Sequence, residues 1–373
     1  MSEAVSGALH RRRVLAGFTA SAAAALGPQA AVAARSARRR NAGAGVVRGD
    51  EFVMKHGRFD VHAHFLLPGQ AVAGPPAPGQ HFVASPVATW SPEGAIAFMD
   101  ERGIETQMLS VPGPPSVEFA REANVYVAGL VKRFPGRFGL LAALPMSDIE
   151  ASLAEIAFAF DELSADGVVI VSNYGGAYLG DGRYDPVFAE LHRRKAVIFL
   201  HPTIPAGFDC VACGRPGPLI ELPFDSCRTV TDMLFNRVFE KYPDMKVIMS
   251  HAGGALPTLA PRLVSIGTLG WVPHPPSLTP QTVRAQLSRL YFDTAIAGST
   301  ASIGPVLDLT HADHVLFGTD YPPAGVPVID ENIAALDGLT ILDEGAKQAI
   351  WSNGRRLFPR FCEVLEPQTE PKA

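Results

Sequence analysis

Two histidines lie one residue apart at the end of a short apolar run, FDVHAHFLLP, over residues 59–68. In an extended chain successive side chains point to opposite faces, so His62 and His64 share one face while Val61 and Ala63 share the other. Neighbouring imidazoles on one face are a donor set that transition metals bind. The alternative is a pair of ordinary histidines at a strand end, and these ten residues do not separate the two.

Four other polar side chains end apolar runs in the same way. They are His201 in AVIFLHP, His251 in KVIMSHAGG, Asp293 in LYFDT and Asp320 in HVLFGTDYPP. One such histidine is usually a hydrogen-bonded core residue, but strand ends that meet at a common rim bring such side chains together. A nitrogen-rich set with one carboxylate suits Zn²⁺ or Mn²⁺. The predicted metal ligands are His62, His64, His201 and Asp320.

Short β-rich apolar runs alternate with segments of helical spacing along the chain. The runs lie at Phe59–Val61, Ile104–Val111, Phe138–Leu144, Gly167–Val171, Val197–Leu200, Lys246–Met249, Leu290–Asp293 and His314–Phe317. Ser91-Pro92 and Ser147-Asp148 stand where helix caps are expected. Eight strands alternating with about as many helices predict a parallel sheet closed into a (β/α)₈ TIM barrel. The rival, an open doubly wound sheet, finds no GxGxxG or GxxxxGK[ST] motif to support it.

Two segments rich in proline and glycine interrupt this alternation, Leu67–Trp90 and Pro202–Phe224. They follow the first and fifth predicted strands, so on a barrel they rise over the face where active sites form. We predict that these long loops are lids or pocket walls.

The charge of the chain is unevenly distributed. The 373 residues are 47% hydrophobic and 18% charged and carry a formal charge of −5, yet residues 1–49 hold eight arginines against Glu3, a balance of +7. Subtracting +7 from −5 leaves −12 for the remainder. An acidic body argues against nucleic acid as a partner, because phosphate contacts need clustered Lys and Arg.

The N-terminus has the pattern of an export signal. HRRRVLAGFTASAAAALGPQAAVAARS begins with arginines, continues through a weakly apolar stretch, and offers Ala31-Val32-Ala33 as a cleavage site. It resembles a twin-arginine signal, so we predict an export signal and disordered linker over 1–49, a single domain over 50–373, and a periplasmic or extracellular location. The alternatives are a disordered basic tail or an Ala-rich helix without a targeting role, and the protein would then be cytoplasmic. The stretch is too short and too poor in Leu and Ile for a stable membrane span.

Four cysteines, Cys210, Cys213, Cys227 and Cys362, are sparse for this length. No disulfide framework is therefore expected, and none of the four is predicted to be catalytic. Whether Cys210 and Cys213 pair after export stays open.

Several motifs resemble the amidohydrolase superfamily, in the branch of aminocarboxymuconate-semialdehyde, γ-resorcylate and 6-methylsalicylate decarboxylases. The motifs are DVHAHFLLP, FLHPT, VIMSHAGGALP and FGTDYPP, and FMDERGIETQMLSVPGP, RFPGRFGLLAALP, ADGVVIVSNYGGAYLGD and NRVFEKYPDMKVIMSHAGG extend the likeness over most of residues 58–360. These connecting segments are most similar to the 6-methylsalicylate decarboxylase group.

The resemblance implies roles for individual residues. His62, His64, His201 and Asp320 match the family's ligands of a single metal ion. His251 matches a histidine beside the metal that handles a proton, and Asp320 matches the acid that protonates carbon. A carboxylic acid against a dry pocket can stay protonated near neutrality, so we expect Asp320 to be protonated. Arg262 matches an arginine that crosses a dimer interface to hold a substrate carboxylate, which implies a homodimer.

Two departures from the family pattern narrow the expectations. The fourth strand ends in Val171-Ser172-Asn173, without a lysine to bridge a second ion, so one ion is expected. No arginine lies between Arg58 and Trp90, where the muconate enzyme binds its second carboxylate, so a monocarboxylate substrate is preferred.

The resemblance implies a metal-dependent, non-oxidative decarboxylase of a small salicylate-type aromatic acid, with CO₂ as a product. Phe65, Phe224 and Tyr321 flank motif residues and are candidates for the ring pocket, with ordinary packing as their alternative. A metal-dependent hydrolase of a lactone or amide is the second function, because the same metal could activate water. A non-catalytic exported binding protein that keeps the metal for structure is the third.

Overall fold

Eight parallel strands form one sheet that closes into a barrel, as predicted. The computed structural model describes residues 57–70 and 89–362, within one compact unit, Met54–Ala373. The predicted signal and linker over 1–49 lie outside the described residues, as do residues 71–88 of the first predicted lid.

The barrel strands follow one another around the sheet in chain order. They are β1 (Arg58–His64), β2 (Ile104–Ser110), β3 (Phe138–Ala143), β4 (Gly167–Val171), β7 (Val197–His201), β8 (Lys246–Met249), β9 (Tyr291–Asp293) and β10 (Val315–Leu316). A bridge between Ala63 and Tyr321 and a 3.0 Å hydrogen bond from Val61 N–H to Phe317 O join the last strand to the first. The strand residues are almost all buried, because helices cover the outer face and side chains fill the interior.

Helices follow the barrel strands. Their bounds are α1 (Pro92–Glu101), α2 (Val117–Arg133), α3 (Ile149–Asp161), α4 (Asp185–Arg193), α5 (Phe208–Val211), α6 (Glu221–Phe235), α7 (Val238–Lys241), α8 (Leu256–Ile266), α9 (Pro280–Leu287), α10 (Thr300–Leu309), α11 (Val326–Asp337) and α12 (Glu344–Asn353). The Ser91 side chain accepts from Gly94 N–H at the start of α1, and Asp148 accepts from Ala151 N–H at the start of α3. Both predicted caps are therefore present.

The structure differs from the sequence prediction in local details, and several strands begin or end one residue away from the predicted bounds. A small antiparallel hairpin, β5 (Asn173–Tyr174) and β6 (Ala177–Tyr178), follows β4, and its two-residue strands are too short to leave an alternating pattern. The predicted loop Pro202–Phe224 contains α5, and α6 begins at Glu221, so Phe224 is helical. β1 also extends to His64. Within the described part of the chain, no helix has the length and apolar character needed to cross a membrane.

Candidate metal centre

The four predicted ligands lie together at the carboxyl ends of the barrel strands. One donor atom from each of His62, His64, His201 and Asp320 lies within 4.8 Å of the others, and all four residues are buried. β1 contributes the first two, β7 the third, and the turn after β10 the fourth. Parallel strands end at one rim, so residues far apart in the chain meet there.

Hydrogen bonds fix which nitrogen of each β1 histidine faces the others. His62 Nδ1 lies 2.8 Å from Asp293 Oδ2, and His64 Nδ1 lies 3.1 Å from Ser110 O. Both partners can only accept, so each neutral imidazole carries its proton on Nδ1 and a lone pair on Nε2. Partners of this kind set the tautomer and orientation of metal-binding histidines.

The two Nε2 atoms and one oxygen of Asp320 form a close triangle of acceptors. The Nε2 atoms are 3.1 Å apart, and Asp320 Oδ1 lies 3.3 Å from His62 Nε2 and 3.1 Å from His64 Nε2. Three acceptors at this spacing require a shared cation, either a proton or a metal ion. Ligand atoms around a tetrahedral ion with bonds of about 2.0–2.1 Å stand about 3.3–3.4 Å apart, close to these distances.

The third histidine has an unsatisfied buried nitrogen. His201 Nδ1 is buried and has no hydrogen-bond partner among the described residues. The His201 ring centroid lies 4.9 Å from that of His64 and 5.3 Å from that of His62. A buried nitrogen without a partner is costly unless something binds it, so His201 fits a ligand role. This buried set of three histidines and one aspartate suits a divalent metal ion.

The electrostatics of the protein groups favour a cation in this set. Burial lowers the pKa of His62, but the Asp293 and Asp320 carboxylates outweigh it and raise this pKa to about 10. Burial lowers the pKa of His201 well below its usual value, and the neighbouring His64 and His62 lower it further. His62 therefore attracts a positive charge, while His201 is neutral and ready to donate a lone pair.

Asp320 is a carboxylate in this setting. Burial raises its pKa, but the charge of the His62 imidazole and the close contacts of Asp320 Oδ1 with the Nε2 atoms of His62 and His64 bring the pKa well below the usual value. The expectation that a dry pocket keeps Asp320 protonated near neutrality is therefore wrong for the resting site, because the imidazoles outweigh desolvation.

Asp60 and Gly318 hold the turn that carries Asp320 close to β1, the first by hydrogen bonds and the second by its lack of a side chain. Asp60 Oδ1 accepts from the backbone N–H groups of His62 and Thr319, each at 3.0 Å, and Oδ2 accepts from the Thr319 hydroxyl at 2.6 Å. A Cβ on Gly318 would stand 3.0 Å from the His62 Cβ and 3.1 Å from the Asp293 Cβ. A side chain at this position would push both neighbours outward, so glycine lets the chain after β10 approach closely. Asp320 then adopts φ +58°.

His251 lies beside the ligand set rather than within it. Its ring centroid is 4.8 Å from that of His62, and its Nδ1 lies 3.1 Å from Ala295 O, which leaves Nε2 as the basic nitrogen. Its backbone N–H donates to Asp293 Oδ1 at 2.8 Å. Burial, followed by the nearby His62, lowers the pKa of His251. The geometry therefore presents a neutral imidazole next to the centre.

The predicted substrate contacts lie in different surroundings. Phe65 packs on Trp90 and Tyr126, with ring centroids 6.1 and 6.0 Å away, and Tyr321 stacks on Phe98 at 4.0 Å. Phe224 on α6 is 42% exposed. The stacking contacts of Phe65 and Tyr321 are packing contacts, and a role in binding the ring stays a prediction for all three.

Arg262 is exposed on the surface of α8 and does not enter the buried ligand set. Its predicted role across a dimer interface stays a prediction. All four cysteines are free thiols, so the structure contains no Cys210–Cys213 disulfide.

Three supporting residues escaped the sequence analysis. Asp60 is completely buried under the site, Ser110 orients His64, and Asp293, noted only as a polar strand end, orients both His62 and His251. A DxHxH reading of β1 could have drawn attention to Asp60. Ser110 could not be found, because its contact depends on the register of β2 against β1, which pairs it with His64.

Comparisons with known proteins agree with this architecture. The family model described as Amidohydrolase matches residues 59–360. The decarboxylase yanB of Aspergillus niger is 33% identical over 332 residues, which cover 82% of this chain and 88% of that protein. The 6-methylsalicylic acid decarboxylase of Penicillium expansum is 31% identical over 325 residues, 83% of this chain and 98% of that protein.

A solved structure shares the fold. The dihydroxybenzoic acid decarboxylase of Polaromonas sp. JS666, with bound manganese and the inhibitor 2-nitroresorcinol, superposes with a TM-score of 0.67 at 22% identity. The match covers 82% of this chain and 97% of that one.

Proposed function

Because the chain belongs to the amidohydrolase family, we propose that it is a metal-dependent, non-oxidative decarboxylase of a small salicylate-type aromatic acid. The relatives of at least 31% identity described above are decarboxylases by name, and one of them acts on 6-methylsalicylic acid. A 6-methylsalicylate-like monocarboxylate is the proposed substrate, and CO₂ is a product.

The observation that carries this proposal is the buried ligand set with His251 directly beside it. His62, His64, His201 and Asp320 would hold one divalent ion, Zn²⁺ or Mn²⁺. Manganese is bound in the Polaromonas enzyme, which supports the second choice. When bound, the ion supplies Lewis-acid chemistry that withdraws charge from a carboxylate and a neighbouring phenol oxygen.

The chain's own residues must then move a proton to carbon. Decarboxylation replaces the ring C–C bond by a C–H bond, so an acid has to protonate the carbon that bears the carboxylate before CO₂ leaves. Asp320 is a carboxylate at rest and therefore needs a proton first. The phenol of a salicylate is a nearby source, and Asp320 can accept that proton and return it to the ring carbon.

His251 is the second group of this proton path. Its neutral Nε2 can accept or relay a proton, while Nδ1 stays bound to Ala295 O. Arg262 is proposed to hold the substrate carboxylate across a homodimer interface, in keeping with its exposed place on α8. Phe65, Phe224 and Tyr321 are proposed to contact the ring.

The deciding experiment is a screen of purified, metal-loaded protein for CO₂ release from salicylates with different ring substituents. The proposal expects CO₂ and the matching phenol, with one deuterium from D₂O at the former carboxylate carbon. A hydrolase would instead give a ring-opened or cleaved acid carrying oxygen-18 from labelled water, without CO₂. Metal-loaded protein that acts on neither substrate class would support the non-catalytic binding protein.

A further inference from the structure

A buried aspartate outside the metal set holds the strand end that carries His201. Asp225, near the start of α6, is completely buried. Its Oδ2 accepts from the Ser172 hydroxyl and, at 2.8 Å, from Asn173 Nδ2, while its Oδ1 accepts from the Tyr178 hydroxyl at 2.6 Å. We refer to Asp225, Ser172 and Asn173 as the α6 clamp.

The α6 clamp holds the chain at the third histidine and directly after it. Ser172 N–H donates to His201 O at 2.9 Å, and Ser172 Oγ accepts from Thr203 N–H at 2.9 Å. Asn173 Nδ2 also donates to Ile204 O at 3.1 Å. The backbone N–H of Ser172 thus holds His201 itself. The side chains of Ser172 and Asn173, which Asp225 holds in turn, fix residues 203 and 204 to the end of β4.

These backbone contacts matter because the His201 ring lacks the hydrogen bond that orients each of the other two histidines. The other two histidines are oriented by Asp293 and Ser110 through Nδ1, whereas His201 Nδ1 has no hydrogen-bond partner among the described residues and remains available to an ion, so no such contact orients the ring. The backbone must therefore set the position of the ring. Pro202 follows directly and has no N–H to contribute, so the hydrogen bond from Thr203 N–H to Ser172 is the next one available.

We propose that Ser172 and Asp225 are positioning residues for the metal centre, which act on the ion through the backbone of His201. Ser172 lies at the end of β4, which has no lysine that could bridge a second ion. This strand end therefore orients a metal ligand and does not supply one.

The test measures binding of Mn²⁺ or Zn²⁺ to metal-free protein by chelator competition, together with the visible spectrum of the Co²⁺-loaded protein. Ser172→Ala and Asp225→Asn should each weaken metal binding about 10- to 100-fold, the usual scale for residues that orient a ligand. The Co²⁺ bands should shift in both variants. If the double variant loses less metal affinity than the sum of the two single losses in free energy, the two residues act through the same contact.

Asp232→Asn is the matched control, because Asp232 lies on the same helix and accepts from Gly180 N–H at 2.7 Å, beyond the hairpin. It should keep wild-type metal affinity and the wild-type Co²⁺ spectrum. If Ser172→Ala and Asp225→Asn lose no more affinity than Asp232→Asn, and their Co²⁺ bands do not move, the positioning role is refuted.

A separate observation concerns Ile296, in the turn after β9. Its φ is +54°, a conformation that β-branched residues rarely adopt, and its side chain is 51% exposed. The turn closes with a hydrogen bond from Ala297 N–H to Thr294 O at 3.1 Å. Glycine or asparagine is usual at this position of such a turn, so core packing does not explain an isoleucine here.

The turn is held at the edge of the centre by its neighbours. Ala295 O accepts from His251 Nδ1, and Ala295 N–H donates to Asp293 Oδ1. Asn332 accepts from Gly298 N–H at 2.6 Å and donates to Thr294 O at 2.9 Å, which fixes the other end. The fold thus presents an apolar side chain in a strained backbone conformation, one residue beyond the contact with His251.

We infer that Ile296 is a specificity-determining residue that forms an apolar wall against the substituted ring of the substrate. This inference rests on the proposed decarboxylase function. An apolar wall discriminates a methyl group by about tenfold or more. Ile296→Gly should therefore lower the ratio of kcat/KM for 6-methylsalicylate to that for salicylate by about tenfold.

Lys195→Gly is the matched control, because Lys195 also has a positive φ, +53°, but follows α4 on the outside of the barrel. It should leave the substrate ratio unchanged. A wild-type enzyme that is active, with the same ratio in Ile296→Gly, would refute the wall. A wild-type enzyme that releases CO₂ from neither compound would instead count against the decarboxylase proposal.

Discussion

Asp293 accepts from three donors, one on Oδ2 and two on Oδ1, and an asparagine at this position cannot accept from all three. Oδ2 accepts from His62 Nδ1, while Oδ1 accepts from the backbone N–H groups of His251 and Ala295 at 2.8 and 3.0 Å. If the amide nitrogen of the introduced asparagine faces His62, it favours the tautomer with the proton on Nε2, which blocks that lone pair. If the amide nitrogen faces the backbone, it meets two donors.

The size of the effect follows from the hydrogen bond that is lost. A hydrogen bond to a charged group contributes about 1.5–3 kcal/mol. If that loss falls entirely on the metal-bound state, the metal affinity of Asp293→Asn drops about 10- to 150-fold, since each 1.4 kcal/mol is a factor of ten. Chelator competition against metal-free protein measures this directly, and decarboxylase activity should fall with metal occupancy.

Asp166→Asn provides the control for a general loss of stability. Asp166 accepts from Leu140 N–H at 2.8 Å and pairs with Arg360 at 2.6 Å, just before β4 and hence at the opposite end of the barrel. It should lower the melting temperature without changing metal affinity. Wild-type metal affinity in Asp293→Asn, or an equal drop in both variants, would refute the orienting role.

Four further outcomes are expected. His251→Asn should keep its metal while kcat falls about a hundredfold or more, the scale of a lost acid–base group; full activity would remove His251 from the mechanism. Elemental analysis should find one ion per chain in the wild type and little in His64→Ala. Metal affinity should rise from about pH 6 to about pH 9, because binding displaces the proton that His62, with its raised pKa, otherwise retains. The exported protein should begin near residue 34, and lysines at 11–13 should abolish this processing; a mature protein that still begins at Met1 would contradict export.

The barrel and the gathering of the ligands were predictable because both depend on periodicity along the chain. His62, His201 and Asp320 each end an apolar run, and parallel strands place such ends on one rim. The contacts that orient the ligands depend on the register between neighbouring strands and on side-chain conformations. Neither can be deduced from a single sequence. Asp60, for example, pairs with Gln107 on β2, and its carboxylate accepts four hydrogen bonds, from β1, from β2 and from the turn that carries Asp320.

The electrostatic state of Asp320 was also beyond the sequence. Its burial could be foreseen from the apolar run before it, and burial alone raises a carboxyl pKa. The opposite result arises because two imidazoles lie within 3.3 Å of one oxygen. Such distances are a property of the closed barrel and not of any segment.

The closure of the barrel between its last strand, β10, and its first, β1, has a consequence for the order of events during synthesis. Asp60 and Thr319, which tie the two strands together, are 259 residues apart, and the ligands on either side of them are separated almost as widely. A growing chain presents its two β1 histidines early but cannot complete the site until its last strand has left the ribosome and docked. Metal uptake therefore reports that the whole barrel has closed. A chain truncated before β10 would lose both the contact between Asp60 and Thr319 and the ability to bind the ion.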